Sequence, residues 1–223
     1  MPLHTPFLRV PLACVAAMFW LTSALPAQDS DAYVIMEAAS VRFKTMKSLC
    51  ADFHQVLDVP LLGARREGLG RLCQQGPSLF SMRFQDPVGD LVVVDGTHAW
   101  VYTPSQDPKQ ALRTPISEVG RGLDLHSEFL DEPRARYLAT LEGSETWEGR
   151  SLRRILLIPR EPTSYREAVV WIDGENSLLR KVEIHEENGS TRLVTLRAIQ
   201  VDLEVPEGTF SFTPPPGTQV ISR

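Results

Sequence analysis

The side chains with chemistry to offer are few and dispersed. Beyond residue 27 the histidines are His54, His98, His126 and His185, each alone in its stretch, and adjacent acids such as Asp131-Glu132 and Glu186-Glu187 border turns or loops. General acid–base catalysis needs titratable groups whose surroundings drive their proton affinities apart, and acids on solvated turns lack that setting. HExxH, GxSxG, a Walker loop, a dinucleotide-type GxGxxG and CxxC are all missing. No spaced ligand set supports a metal site, and neither a cofactor nor an enzyme activity is expected.

Two kinds of chemistry remain. Cys50 and Cys73 are the cysteines beyond residue 27. Reading LCADFHQVLDV and GLGRLCQQ as strands around Pro60-Leu61-Leu62-Gly63 sets Val59 against Ala64, Asp52 against Arg71 and Cys50 against Cys73. A cross-strand disulfide and two small buried thiols both fit that register. The other chemistry is lipophilic. In SLFSMRF, Phe80, Met82 and Phe84 share one strand face. From Asp86 to Pro104, β-rich runs flank Asp95-Gly96, which reads as a type I′ hairpin turn placing Val94 opposite Thr97, Val93 opposite His98 and Leu91 opposite Trp100. Both faces of that hairpin are apolar, so each needs a cover: a core on one side, a lid or lipophilic ligand on the other.

Composition sets the frame for these residues. With 223 residues, 43% hydrophobic and 23% charged, the chain is ordinary globular material for one domain. Arg9 is the one formal charge in residues 1–27, which leaves about −6 on the remainder and disfavours nucleic acid as a partner. His4 and Arg9 precede an apolar run from Val10 to Leu25, and Ala24 and Ala27 offer cleavage positions before Gln28-Asp29-Ser30. Residues 1–27 therefore read as a cleaved export signal and 28–223 as a single domain. Lipidation at Cys14 is disfavoured, because too little apolar sequence precedes it and the position three residues before it is Pro11 rather than leucine.

The elements follow from periodicity. Ser30 or Asp31 can cap a helix reaching about Lys47, with Ile35, Met36, Ala39, Phe43 and Met46 on one stripe and Glu37, Ser40, Lys44 and Lys47 opposite. A fixed core helix and a movable lid both suit that stripe. Residues 115–136 break the strand rhythm, with an apolar cluster at Leu123, Leu125, Phe129 and Leu130, and read as short helices. Strands are expected at Tyr137 to Glu142, Ser151 to Pro159, Tyr165 to Asp173, Leu178 to Glu186 and Ser190 to Asp202, punctuated by Asp173-Gly174 and Asn188-Gly189. Asn188-Gly189-Ser190 is more economically a turn than a glycosylation site. Phe210 and Phe212 share a face in the last segment. The fold class is thus mainly β with α: a curved antiparallel sheet or unclosed β-barrel, covered by an N-terminal helix and a mid-chain helical segment.

ADFHQ after a helix, then GLGRLCQQGPSLFSMRF, VVVDGTHAWVYTP, VVWIDGENSLLRKVEI and VPEGTFSFTPPPGTQV together resemble the LolA family of periplasmic outer-membrane lipoprotein carriers. The resemblance spans about residues 31–220. It implies an unclosed barrel whose helices form a lid over a cavity for the acyl chains of lipoproteins. Cargo would come from an inner-membrane lipoprotein-releasing ABC transporter and pass to an outer-membrane lipoprotein acceptor, with the carrier a periplasmic monomer. By position it assigns acyl-chain binding to Ile35, Met36 and Phe43 of the lid helix, Phe80, Met82 where many relatives have Trp, and Trp100 and Tyr102. The family's latching Arg before the strand's proline is here Gly76, before Pro77, with Arg71 or Arg83 as candidate substitutes. A same-fold envelope acceptor, a lipid-sensing regulator, and a structural or protein-binding β-domain filled by its own side chains stay open as alternatives.

Overall fold

The computed structural model describes residue 1, residues 27–119 and residues 124–222, with side chains from Asp31 onward in the N-terminal helix. Most of the expected export segment, including Cys14 and Ala24, and also Leu123, lie outside the described residues. Helix α1 is Ala27–Thr45. The strands are β1 Ser48–Val59, β2 Ala64–Gln75, β3 Leu79–Asp86, β4 Leu91–Asp95, β5 His98–Tyr102, β6 Gln110–Pro115, β7 Tyr137–Trp147, β8 Arg150–Pro159, β9 Tyr165–Asp173, β10 Leu179–Glu186, β11 Thr191–Val201 and β12 Gln219–Ser222. Between β6 and β7 lie α2, Leu125–Leu130, and α3, Pro133–Arg136.

These strands form one sheet in the order β12-β6-β5-β4-β3-β2-β1-β11-β10-β9-β8-β7. All neighbours are antiparallel except β12 and β6, and β7 and β12 stand at opposite edges, so the sheet curls without closing. Its inner face carries the helices. Under α1, Ala32, Met36 and Ala39 pack with Phe129 and Leu130 of α2 and with Tyr137, Ile155, Leu157, Val170 and Val182 of β7 to β10. Further along the same face Leu49, Phe53, Leu72, Phe80, Val94 and Leu196 form a second cluster, to which Met46, Met82, Phe84 and Leu125 add their weight. Fully burying an aliphatic or aromatic side chain of this kind contributes about 1.5–3 kcal/mol, so these two clusters hold the helices to the sheet.

Local side-chain chemistry sets the turns. Asp95, Asp173 and Asn188 each accept from the backbone N–H two residues on, at 2.8, 3.0 and 2.8 Å, the hydrogen bond that makes Asp and Asn turn formers. At the first hairpin the pairing is the expected one, with Cys50 opposite Cys73 and Asp52 opposite Arg71. At the central hairpin it differs by two residues: Val94 faces Ala99, Val93 faces Trp100 and Leu91 faces Tyr102. The Asp95 carboxylate also accepts from His98 N and, at 3.0 Å, from Trp100 Nε1. Asp95 itself is not in the left-handed region, which a type I′ turn would require; Gly96 is, at φ 91°. A shift of two leaves every side chain on its expected face.

Three further expectations change. Ser40 is buried rather than exposed, while Val34 and Val41 face outward, because the covered stripe is rotated towards Ala32, Met36, Ala39 and Ser40. The helix ends at Thr45, so Met46 contributes from the connection beyond it. Strand β7 runs on to Trp147 because Gly143, at φ 136°, carries a bulge in the pairing with β8 and lets the strand continue. Gly70 is required in GLGRLCQQ, since a β-carbon there would lie 2.0 Å from the Arg83 carbonyl oxygen.

Candidate functional site

The inner face is not packed evenly. Where the C-terminal end of α1 passes the β2–β3 turn, an apolar hollow of about 240 Å³ is lined by Phe43, Met46, Leu49 and Pro77, with Lys44 and Lys47 at its rim side and Gln74 in its wall. A second hollow of about 180 Å³ lies between that turn and the segment leading into α2, lined by Leu79, Phe80, Val94, Ile116 and Val119. Gln74 and Pro77 belong to both. Small-molecule pockets are typically about 300–1,000 Å³, so each hollow by itself falls below that range.

A polar knot sits between the hollows. Gln74 is only 3% exposed in the sheet, its side chain donating from Nε2 to Asp124 Oδ2 at 2.5 Å. Asp124 caps α2, accepting from His126 N at 3.0 Å and Ser127 Oγ at 2.5 Å. Burial alone would raise its proton affinity; His126, with Nδ1 3.8 Å away, and the bonds from His126 N and Ser127 outweigh that and hold the carboxyl below its ordinary range. The His126 ring is buried and stacks on Phe43 of α1, centroids 4.9 Å apart. Among the described residues, nothing hydrogen-bonds Gln74 Oε1 or either ring nitrogen of His126.

The cover is fastened unequally. Beneath α2, the buried Glu128 carboxylate accepts from Tyr165 Oη at 2.5 Å and Tyr137 Oη at 3.1 Å and pairs with Arg136 at 2.8 Å. Burial, reinforced by the Glu128 charge, pushes both tyrosine hydroxyls upward, so they stay protonated as donors. Helix α1 is tied to α3 and α2 by pairs at the surface, Glu37 with Arg134 and Lys44 with Asp131 at 2.9 Å. Exposed pairs of this kind contribute about 0–1 kcal/mol each, so α1 rests mainly on its apolar stripe and on Tyr33, whose Oη donates to the Tyr137 carbonyl of β7 at 3.0 Å and accepts from Ala139 N at 3.3 Å.

The residues singled out for acyl-chain binding fall into three places. Phe43 and Phe80 line the two hollows, and Met82 joins the cluster around Phe80. Met36 is fully buried in the filled part of the interior, while Ile35 is partly buried and lines a separate open groove with Val34, Ala38 and Leu141. Trp100 and Tyr102 are not brought to the others: the pleat sets them on the outer face, where Phe212 of the C-terminal segment packs against both, at 5.7 and 5.3 Å. This hairpin is thus covered by the inner cluster on one side and by its own chain on the other. The two arginines named as candidate latch residues bond away from the helical cover. Arg71 bonds Asp52 and Gln200, and Arg83 bonds the Thr209 and Ser211 carbonyls, all on the outer face. The Cys50–Cys73 disulfide lies on that face as well, beside a cavity of about 350 Å³ that Leu203, Pro206 and Thr209 of the C-terminal segment, a strap running on to Phe212, help to line. Sequence reasoning puts Met46 on the covered stripe but misses Leu49, Val94 and Ile116 as hollow-lining residues and the Gln74–Asp124 contact; the break in strand rhythm at Gly76-Pro77 is the available signal.

No family model matches the sequence. The outer-membrane lipoprotein carrier protein of Alkalilimnicola ehrlichii is 29% identical over 163 residues, covering 70% of this chain and 68% of that one. The carrier of the same name from Chromobacterium violaceum is 25% identical over 176 residues, 79% and 82% of the two chains. Among solved structures, an uncharacterized conserved protein from Thermus thermophilus aligns with a TM-score of 0.58 at 13% identity, covering 86% of this chain and 99% of that one. The chain is thus similar in sequence to outer-membrane lipoprotein carrier proteins, and its strands form an unclosed, curved sheet with a helical cover.

Proposed function

We propose that residues 28–223 form a periplasmic carrier, exported by residues 1–27, that holds the acyl chains of lipoproteins between sheet and helices and ferries them from the inner to the outer membrane. It would load from an inner-membrane lipoprotein-releasing ABC transporter and unload to an outer-membrane acceptor, working as a monomer without bond-making. The observation that carries this reading is the pair of apolar hollows along the seam between sheet and cover, at the end of a helix fastened chiefly by apolar contact. Shielding an acyl chain is worth about 0.8 kcal/mol per CH₂, roughly 8 kcal/mol for ten of them. Walls of Phe and Met supply that without fixing one geometry, which suits release as well as uptake. Phe43, Phe80 and Met82 are the contacts we place on the chain's path, with Ile35 and Met36 reached once α1 lifts.

The packing under α1 favours a second reading, since Met36, Phe129, Tyr137, Ile155 and Leu157 fill that half of the interior, as in a structural or protein-binding domain. Purification from an envelope fraction followed by lipid and protein mass spectrometry separates the two. A carrier brings acylated protein with it and takes up bis-ANS that long-chain lipid displaces. A preparation free of lipid that gives no bis-ANS signal rejects the carrier.

A further inference from the structure

The outer face under the strap carries chemistry that the inner hollows do not use. Cys50, Cys73 and Ser81 stand side by side across β1, β2 and β3, and Asp52, Arg71 and Arg83 form the next row of the same face. Both cysteines, Ser81 and both arginines line the cavity of about 350 Å³, which is within the range of small-molecule sites. A strand residue meets a cavity over its sheet through its side chain, which for cysteine is Cβ and Sγ, so the bridge itself is part of the wall. At 6% exposure each, the two cysteines are sheltered without being sealed. The charges flank the bridge from opposite sides. Arg71 donates to Asp52 Oδ1 at 2.8 Å and to Gln200 Oε1 at 2.6 Å. Gln200 is the β11 partner of Cys50, so this guanidinium spans the Cys50 side. Arg83, on β3, stands on the Cys73 side and donates to the Thr209 and Ser211 carbonyls. Burial draws its proton affinity down, as expected of a guanidinium held by carbonyls instead of a carboxylate. Glu204 of the strap lines the cavity too, and against two arginines it leaves the lining net positive.

We propose that this cavity is a thiol–disulfide exchange site for small anionic thiols, a carboxylate-bearing thiolate docking at Arg83 and attacking Cys73 Sγ. Exchange is an in-line displacement, with the incoming, central and leaving sulfurs nearly in a row. The line of the bridge continued past Cys73 passes over Ser81, a small side chain in the cavity wall. Continued past Cys50 it meets Gln200, held by Arg71. Attack therefore comes from the β3 side. The thiolate's electron pair forms a bond to Cys73 Sγ as the Cys50–Cys73 bond breaks, and the Cys50 sulfur leaves as a thiolate beside the Arg71 guanidinium, which stabilises it. A second thiolate attacks the small-thiol sulfur of the adduct and expels the Cys73 thiolate. Two thiolates thus become one small disulfide, and their two electrons reduce the bridge.

The test follows attack on the purified chain by mercaptopropionate, cysteamine and mercaptoethanol, thiols with an anionic, a cationic and a neutral tail. Free thiols are trapped with iodoacetamide, mass spectrometry locates the mixed disulfide, and rates are taken per thiolate and referred to the chain unfolded in urea. Relative to cysteamine, mercaptopropionate should gain about tenfold in the folded chain over the unfolded one, the scale of a charge-assisted hydrogen bond. The adduct should sit on Cys73 and the alkyl group on Cys50. Arg83→Gln should bring the ratio back to the unfolded value while mercaptoethanol still reacts, which shows that the variant keeps an open cavity. Exchange no faster than the chain unfolds overturns the site, because the bridge is then reached only through unfolding. A ratio equal in folded and unfolded chains overturns the preference for anions, and one kept in Arg83→Gln overturns the role of Arg83. An adduct on Cys50 overturns the direction of attack.

Discussion

Gln74 on β2 and Asp124 at the head of α2 stand fifty residues apart in the chain and 2.5 Å apart in space, and their hydrogen bond joins the sheet to its helical cover. Asp124→Ala removes that bond and the cap of α2 together, so urea unfolding at pH 7 should show a loss of about 1–3 kcal/mol. The pH dependence has a defined sign. A carboxyl held below its ordinary value of 3.8 in the folded state gives its full stabilisation above that pH, and loses it as pH falls through the lowered value. The gap between the parent chain and Asp124→Ala should therefore be constant from neutrality to about pH 4 and narrow below it. A gap that stays level into acid would show that the carboxylate charge is not what holds the cap.

The disulfide offers a cleaner magnitude. Cys50 and Cys73 are 23 residues apart, and closing a loop of that length restricts the unfolded chain by about 3 kcal/mol on the chain-entropy account. Unfolding of Cys50→Ala/Cys73→Ala, and of the parent chain under reducing conditions, should agree on that loss. Because the bridge sits on the outer face, bis-ANS affinity at the seam should not change in either case. A large drop in affinity would mean that the first hairpin's register, and not the inner wall alone, shapes the hollows.

What can be read from sequence tracks what is local. Cys50 opposite Cys73 follows from one turn and a period of two, both contained in a single hairpin. Propensity at Asp95-Gly96 places Val94 two residues out because the turn is closed by the Asp95 side chain bonding Thr97 and His98, a choice that turn statistics do not reveal. Trp100 and Tyr102 illustrate a further limit: alternation sorts side chains onto two faces but does not say which segment covers which. Their cover, Phe212, arrives about a hundred residues later, from a stretch that alternates like a strand, Phe210 with Phe212, yet forms none. Gln74 and Asp124 are ordinary polar residues in their own neighbourhoods, and their meaning exists only once β2 and α2 are brought together.

That difference of faces yields a contrast between aromatic residues. Phe43→Ala and Phe80→Ala each strip a wall of a hollow and should weaken bis-ANS or palmitate binding about tenfold, the order expected for losing one aromatic contact. Trp100→Phe and Phe212→Ala should leave that affinity within about twofold, although Phe212→Ala should cost about 1–3 kcal/mol in stability as the strap loosens. Titration of the four variants with one probe decides the matter. Binding lost in Trp100→Phe and kept in Phe43→Ala would put the apolar ligand on the outer face.

Unequal fastening of the cover bears on which part of it moves. Glu37 of α1 pairs with Arg134 of α3 at the surface, both side chains about half exposed, whereas α2 is pinned from below by Glu128, Tyr137 and Tyr165. If α1 is the element that lifts, the exposed pair is a clasp on it, weak enough to open without unfolding anything else. Arg134→Glu replaces attraction by repulsion and should speed bis-ANS uptake by about two- to fivefold, in line with the roughly 0–1 kcal/mol scale of such pairs, with little change in melting temperature. Glu37→Arg/Arg134→Glu restores the pair with its signs exchanged and should return the rate towards the parent value. Raising ionic strength should shrink the difference between the parent and Arg134→Glu, because the interaction is screened. Uptake that is unchanged by all three would place the moving element elsewhere, and α2, with its buried network, would then have to unfasten to admit a chain.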